Sequence, residues 1–176
     1  ALSVPGRAQA DALAGHFSKI ATGGVAKAYC SPLLRTRETA ATILSAVPNP
    51  PDLETLEFLR EVDYGPDENQ PEDQVVARIG EAALKAWETD AVPPPGWQID
   101  PEALRGHWRD LFDQLAELDA RLPVLIVTSN GIARLLLDAI TAFETQPHSI
   151  KLKTGAYGQV RAAPGSTVLT DWNVRP

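Results

Sequence analysis

Arg35 sits inside Ser31-Pro32-Leu33-Leu34-Arg35-Thr36-Arg37-Glu38-Thr39-Ala40, a segment whose residue types suit the capture of an anion. Serine before proline is a helix-start pattern, with Ser31 as N-cap and Pro32 at the first helical position. The run Val25 to Cys30 before it reads as a short buried strand, so strand passes straight into helix and free backbone N–H groups aim at one point. A guanidinium in the first turn adds a fixed fork able to chelate two phosphoryl oxygens. The plainer alternative is a surface arginine paired with Glu38, three residues on. A second candidate is Ser129-Asn130-Gly131, which turns the apolar run Pro123 to Thr128 into a helix, and ligands gather at such strand ends. His107 stands beside Trp108 and His148 beside Pro147, neither with metal-ligand company, so no metal or other cofactor is expected.

The elements that must hold these residues are legible from periodicity and punctuation. Ala10, Leu13, Ala14, Phe17 and Ile20 recur at three and four, which predicts an amphipathic helix over Arg7 to Ile20. The helix opened by Ser31-Pro32 is expected to reach about Val47, and Leu53 to Arg60 is expected to be extended, leading into a polar loop from Glu61 to Asp73. Val75, Val76, Ile79, Ala83 and Trp87 form the next apolar stripe, ended by Pro93-Pro94-Pro95-Gly96. Asp100-Pro101 repeats the cap-and-proline pattern before a helix bearing Leu104, Trp108, Leu111, Phe112, Leu115 and Leu118. Pro123 to Thr128 reads as a central parallel strand covered on both faces, followed by a helix whose stripe is Ile132, Leu135, Leu136, Ala139, Ile140 and Phe143. Two tail strands, Lys151 to Val160 and Thr167 to Trp172, complete an α/β, doubly wound, mostly parallel sheet flanked by helices.

Composition narrows the partners. At 176 residues the chain suits one domain, able to bury roughly 70% of its unfolded surface. A single cysteine, Cys30, excludes an internal disulfide framework, and no apolar run approaches the ~20 residues of a membrane span. The expected location is the cytoplasm. A net charge of −7 repels nucleic acid and anionic membrane, so a phosphorylated small molecule must be drawn by a local cation. The chain opens at Ala1 almost directly on a helix start, whereas a doubly wound fold normally begins with a buried strand; residues upstream of Ala1 are expected to supply it.

The decapeptide from Ser31 resembles the histidine phosphatase pattern Ser-Pro-Leu-x-Arg-Ala-x-Gln-Thr-Ala, with Ser31, Pro32, Leu33, Arg35, Thr39 and Ala40 in register. Three further stretches resemble the same phosphoglycerate-mutase-like superfamily in the same order. Leu2-Ser3-Val4-Pro5-Gly6-Arg7-Ala8-Gln9-Ala10 is similar to Leu-Thr-x-x-Gly-x-x-Gln-Ala, and Leu59-Arg60-Glu61-Val62-Asp63-Tyr64-Gly65 to Leu-x-Glu-x-x-x-Gly. Val127-Thr128-Ser129-Asn130-Gly131-Ile132-Ala133-Arg134 is similar to Val-Ser-His-Gly-Gly-x-x-Arg. The resemblance implies a single domain over residues 1–176, lacking its first strand, with a small helical cap inserted at 61–118. It implies that Arg35 binds phosphate with Ser129 and Asn130, and that Glu61 is the general acid or base, with Asp63 as a fallback; without the family, Glu61 reads as a solvated loop acid.

Two departures from the family bear on activity. The Arg-His-Gly motif, whose histidine attacks phosphorus, is absent, and the position of the second family histidine is Ser129, which can donate one hydrogen bond but carries no charge. Loss of one charge-assisted donor from such a site costs about 10²–10³ in rate. The expected function is therefore phosphomonoester hydrolysis through a phosphohistidine upstream of Ala1. The alternative is a weak or inactive pseudoenzyme that binds a phosphorylated ligand, and a third reading is a phosphoglycerate mutase, which requires a closed, water-poor pocket.

Overall fold

Ser3 starts the first helix: its Oγ accepts from the Gly6 amide at 3.2 Å, and Pro5 lies in the first turn, where its missing N–H is no loss. The computed structural model describes residues 1–118 and 121–176. Helix α1 runs Val4–Ile20 and buries Ala10, Leu13 and Ala14, packing on α2, Leu34–Leu44. Strand β1, Lys27–Cys30, lies between β2, Leu53–Thr55, and β3, Val124–Val127, parallel to both. A second sheet places β6, Ser166–Val174, between β4, Ala142–Phe143, and β5, Tyr157–Ala163, parallel to the former and antiparallel to the latter.

Alternation along the strands divides the core. Ala28 of β1 and Leu125 of β3 point to the face that Phe17, Leu44 and Val47 cover. Tyr29, Val124 and Ile126 point to the other, where Leu59, Trp87, Trp108, Leu111, Phe112, Leu135 and Leu169 pack. Helix α5, Pro101–Ala116, begins as expected, with Asp100 accepting from the Ala103 amide at 3.0 Å. Trp108, 1% exposed, donates through Nε1 to the Ile132 carbonyl at 3.1 Å and so pins α5 to the segment after β3; truncating such a residue costs about 3–5 kcal/mol.

Several elements differ from expectation for identifiable reasons. Ser31 is not the N-cap of α2: it still belongs to the sheet, its N–H donating to Val127 O at 3.0 Å. Although its Oγ takes the Leu33 amide, the helix begins only at Leu34, with Leu33 in the N-cap position, and stops at Leu44. Only Leu53–Thr55 of the Leu53 to Arg60 segment is strand, and Glu57–Leu59 turns as a 3₁₀ helix. The stripe from Val75 to Trp87 is broken by Gly80 into α3, Glu72–Ile79, and α4, Glu81–Asp90; its φ of +82° is one that glycine alone adopts without strain. The helix after β3 is short: α6, Asn130–Ala133, passes into a 3₁₀ helix over Arg134–Ala139. The first tail strand starts at Tyr157 rather than Lys151. Strand β3 is covered on both faces, yet all its residues are half-buried, because among the described residues it pairs on one edge only, with β1.

Candidate active site

Because β1 and β3 are parallel neighbours, their C-terminal ends open on the same edge of the sheet. Beyond β1 the chain makes a tight turn: Ser31 is fully buried, its Oγ accepts from the Leu33 amide at 3.2 Å, and Thr36 Oγ1 donates to Ser31 O at 3.0 Å and Leu33 O at 2.8 Å. That turn delivers Arg35 in the first turn of α2. A second strap is tied to both strand ends. Leu56 N donates to Cys30 O at 3.0 Å, and Thr128 Oγ1 donates to Leu59 O at 2.9 Å. The strap continues into Glu61.

Arg35, Glu61 and Ser129 thereby come together. Arg35 Nη2 lies 3.8 Å from Glu61 Oε2, with the arginine side chain about half-exposed and the glutamate 20% exposed. Glu61 Oε1 accepts from the Val62 amide at 3.0 Å and occupies the space over Gly131, where a Cβ would stand 2.5 Å from it. Burial holds the Glu61 carboxyl above its ordinary pKa; the Val62 amide, the Arg35 charge, the Tyr64 phenol and the Ser129 hydroxyl each oppose that rise without cancelling it. Ser129 is buried, and neither its Oγ nor Asn130 Oδ1 has a hydrogen-bond partner among the described residues. The Ser129 hydroxyl is thus near the carboxylate without a well-formed bond to it. Two buried polar atoms left unpaired at one spot are costly unless a ligand or solvent satisfies them.

Other sequence candidates fall elsewhere. Asp63, the fallback acid, is exposed and its Oδ1 accepts from the Gly65 amide at 2.8 Å. Glu38 accepts from the Leu2 amide at 2.6 Å, while the ion-pair partner of Arg35 is Glu61, so the plain surface-pair reading of Arg35 is overturned. His16 bonds Tyr157 OH at 2.9 Å, His107 stacks on Phe58 at 5.3 Å, and His148 is exposed. Among the described residues, no three His, Cys, Asp or Glu side chains are grouped to hold a metal.

Three participants escaped the sequence reading. Gly131 makes room for the carboxylate, and Tyr64 lies three residues beyond Glu61 with its hydroxyl 3.3 Å from the same would-be Cβ. Arg134, 3% exposed, donates to Trp87 O at 2.7 Å and stacks 4.3 Å from the Trp87 ring centroid. A buried arginine with no carboxylate within salt-bridge distance among the described residues leaves net positive potential behind the site. Its sequence signal was the register of Arg134 with the arginine that closes the family pattern after β3, to which no role had been attached.

The model of the histidine phosphatase superfamily, branch 1, matches residues 1–175. No curated protein matches significantly. Among solved structures, the mycobacterial glucosyl-3-phosphoglycerate phosphatase superposes with a TM-score of 0.75 at 20% identity, covering 99% of this chain and 88% of that one; it has also been solved with inorganic phosphate and with VO3. The alpha-ribazole phosphatase from Shigella flexneri gives 0.68 at 20% identity, over 99% and 85% of the two chains. Bacillus stearothermophilus YhfR gives 0.74 at 18% identity, over 99% and 85%. At these identities the likeness speaks to the fold.

Proposed function

The chain belongs to the histidine phosphatase superfamily, and on that footing we propose that it hydrolyses a phosphomonoester through a phosphohistidine intermediate. What supports this most directly is the convergence of Arg35 and Ser129 on one partly buried carboxyl, with the guanidinium 3.8 Å from Glu61. Arg35 binds two oxygens of the phosphoryl dianion, and Ser129 Oγ and the Asn130 amide satisfy the remaining directions. The bound dianion raises the Glu61 pKa further, which keeps its proton in place for the leaving group. As the bond from phosphorus to the histidine nitrogen forms, the bond to the alcohol oxygen breaks and Glu61 protonates the alkoxide. The carboxylate so formed then takes a proton from the water that attacks phosphohistidine, releasing inorganic phosphate.

His16 and His107 are engaged elsewhere and His148 is exposed, so the nucleophile is assigned to a histidine upstream of Ala1. The open edge of β3 supports delivery on a further strand, which would also cover the half-buried apolar residues there. Residues 61–118 would act as the cap, with Tyr64 and Trp97 on its inner side. Ser129 favours a second reading, in which the same site binds a phosphorylated ligand without turnover, since a hydroxyl supplies no charge to the transition state.

The deciding experiment is rapid-quench trapping on the protein at its full natural length with a radiolabelled phosphomonoester. Hydrolysis predicts label on protein that survives alkali and is lost in acid, followed by phosphate release. Phosphate binding without label or turnover would establish the binding reading instead.

A further inference from the structure

Groups of different kinds face the partly buried Glu61 from four elements. Arg35 faces it from α2, Ser129 from the turn after β3, Arg134 from the 3₁₀ helix beyond, and Tyr64 from its own loop. Three of these have a place in the chemistry or the field of the site; Tyr64 has none so far. Its ring stands perpendicular to Trp97 at 4.7 Å. The Trp97 indole N–H donates to Asp67 Oδ2 at 2.7 Å, and Asp67, buried, also receives both Nε, at 2.6 Å, and Nη2 of Arg78. Arg78 continues to the Pro95 carbonyl at 3.0 Å. Two loops, Tyr64 to Asp67 and Pro95 to Trp97, are thus closed on each other by one carboxylate.

We propose that Tyr64 is the positioning residue for Glu61: its phenol and the Glu61 carboxyl meet over Gly131, and the Trp97–Asp67–Arg78 clamp holds the phenol in that place. Any side chain at residue 131 would have to displace one or the other, because a Cβ there stands 2.5 Å from Glu61 Oε1 and 3.3 Å from Tyr64 Oη. Toward an ionised Glu61 carboxylate the protonated phenol can act only as donor. Burial and the Glu61 charge push its pKa far above that of a free tyrosine, with Glu68 adding to the effect and Arg134 opposing it. The clamp is ionised throughout the working range, since the Arg78 hydrogen bond holds Asp67 down to about 2. A protonated donor held beside the carboxyl stabilises the ionised form of Glu61, so Tyr64 offsets part of the rise that burial imposes. Its oxygen would fix which carboxylate lone pair faces the substrate, and its strength would set the pH at which the acid gives up its proton.

The kinetic arm of the test rests on the phosphatase reading, whereas the titration arm does not. Protein of full natural length, labelled with ¹³C at the glutamate side chains, is titrated by NMR, with the Glu61 resonance identified from Glu61→Gln. In Tyr64→Phe the Glu61 midpoint rises, and in Trp97→Phe, which keeps a ring but loses the indole donor, it rises by less. The alkaline limb of kcat/KM moves up with the midpoint, and kcat falls about fivefold to tenfold, as expected for one lost hydrogen bond. A Glu61 midpoint that stays put in folded Tyr64→Phe overturns the proposal, because a merely structural tyrosine leaves it unmoved. Should that variant fail to fold, an unmoved midpoint in Trp97→Phe does the same. A midpoint that shifts while the kinetic limb does not follow supports the positioning role and removes Glu61 from the acid's part.

Discussion

A carboxyl that is buried and raised in pKa is a burden on the folded state once it ionises. For Glu61 the contribution to stability is complete below the ordinary glutamate value of 4.5 and is lost as pH rises through the higher folded value. Once pH exceeds that folded value, the ionised, partly desolvated group weakens the fold, with Arg35 too exposed to offset it fully. Glu61→Gln keeps an oxygen for the Val62 amide and removes the charge. It should raise Tm by roughly 2–4 °C at pH 7, leave it unchanged below about pH 4, and abolish turnover. Thermal unfolding at the two pH values checks the sign; a lower Tm at neutral pH would mean that Glu61 is stabilised as a carboxylate. That Glu61 approaches Arg35 could not be read from spacing. It depends on the Thr128 to Leu59 hydrogen bond, between residues 69 apart in the chain, and only the family register pointed to it.

Two cap-and-proline pairs show what local pattern decides at the level of elements. Asp100-Pro101 behaves as its chemistry dictates, with the carboxylate on the Ala103 amide. Ser31-Pro32 has the same form, and its Oγ does take the Leu33 amide, but Ser31 still pairs with Val127 in the sheet and the helix is delayed to Leu34. Asp100→Ala should accordingly cost about 1 kcal/mol of stability, with little effect on the distant site; denaturant titration beside a rate assay measures both. The helix expected from Ile132 to Phe143 failed for another reason. Ile132, Ala133, Leu135, Leu136 and Leu137 are all buried, so burial there is nearly all round, and a stripe counted at helical spacing cannot separate α from 3₁₀ winding. Tyr64 and Trp97 lay in loops, where periodicity is silent, and the clamp that joins them is tertiary.

Across the whole molecule, net charge of −7 would oppose the approach of the anionic substrate proposed above, so its affinity would have to come from the short-range field at the sheet edge, where Arg35 is backed by the buried Arg134. Strands β1, β3 and β6 and the two strand-end turns were legible because each carries its own punctuation, whereas β4 lay inside a stripe read as helix. Which edge of β3 is left unpaired among the described residues was not legible, since pairing partners are not encoded in the strand itself. A positive charge restored at the unpaired Ser129 position should matter more than any surface change. Ser129→His is expected to raise kcat/KM by about 10- to 100-fold in steady-state assays, and an unchanged rate would mean that the pocket is built around serine.

The shared phosphoryl site is tested most directly by calorimetric titration of inorganic phosphate into the wild-type protein and Arg35→Ala, both at full natural length and fixed salt. Loss of a bidentate guanidinium should weaken Kd by about 10- to 100-fold, with the fold intact by thermal unfolding. Equal affinity in the two proteins would place the anion somewhere other than between Arg35 and Ser129, and would contradict the account.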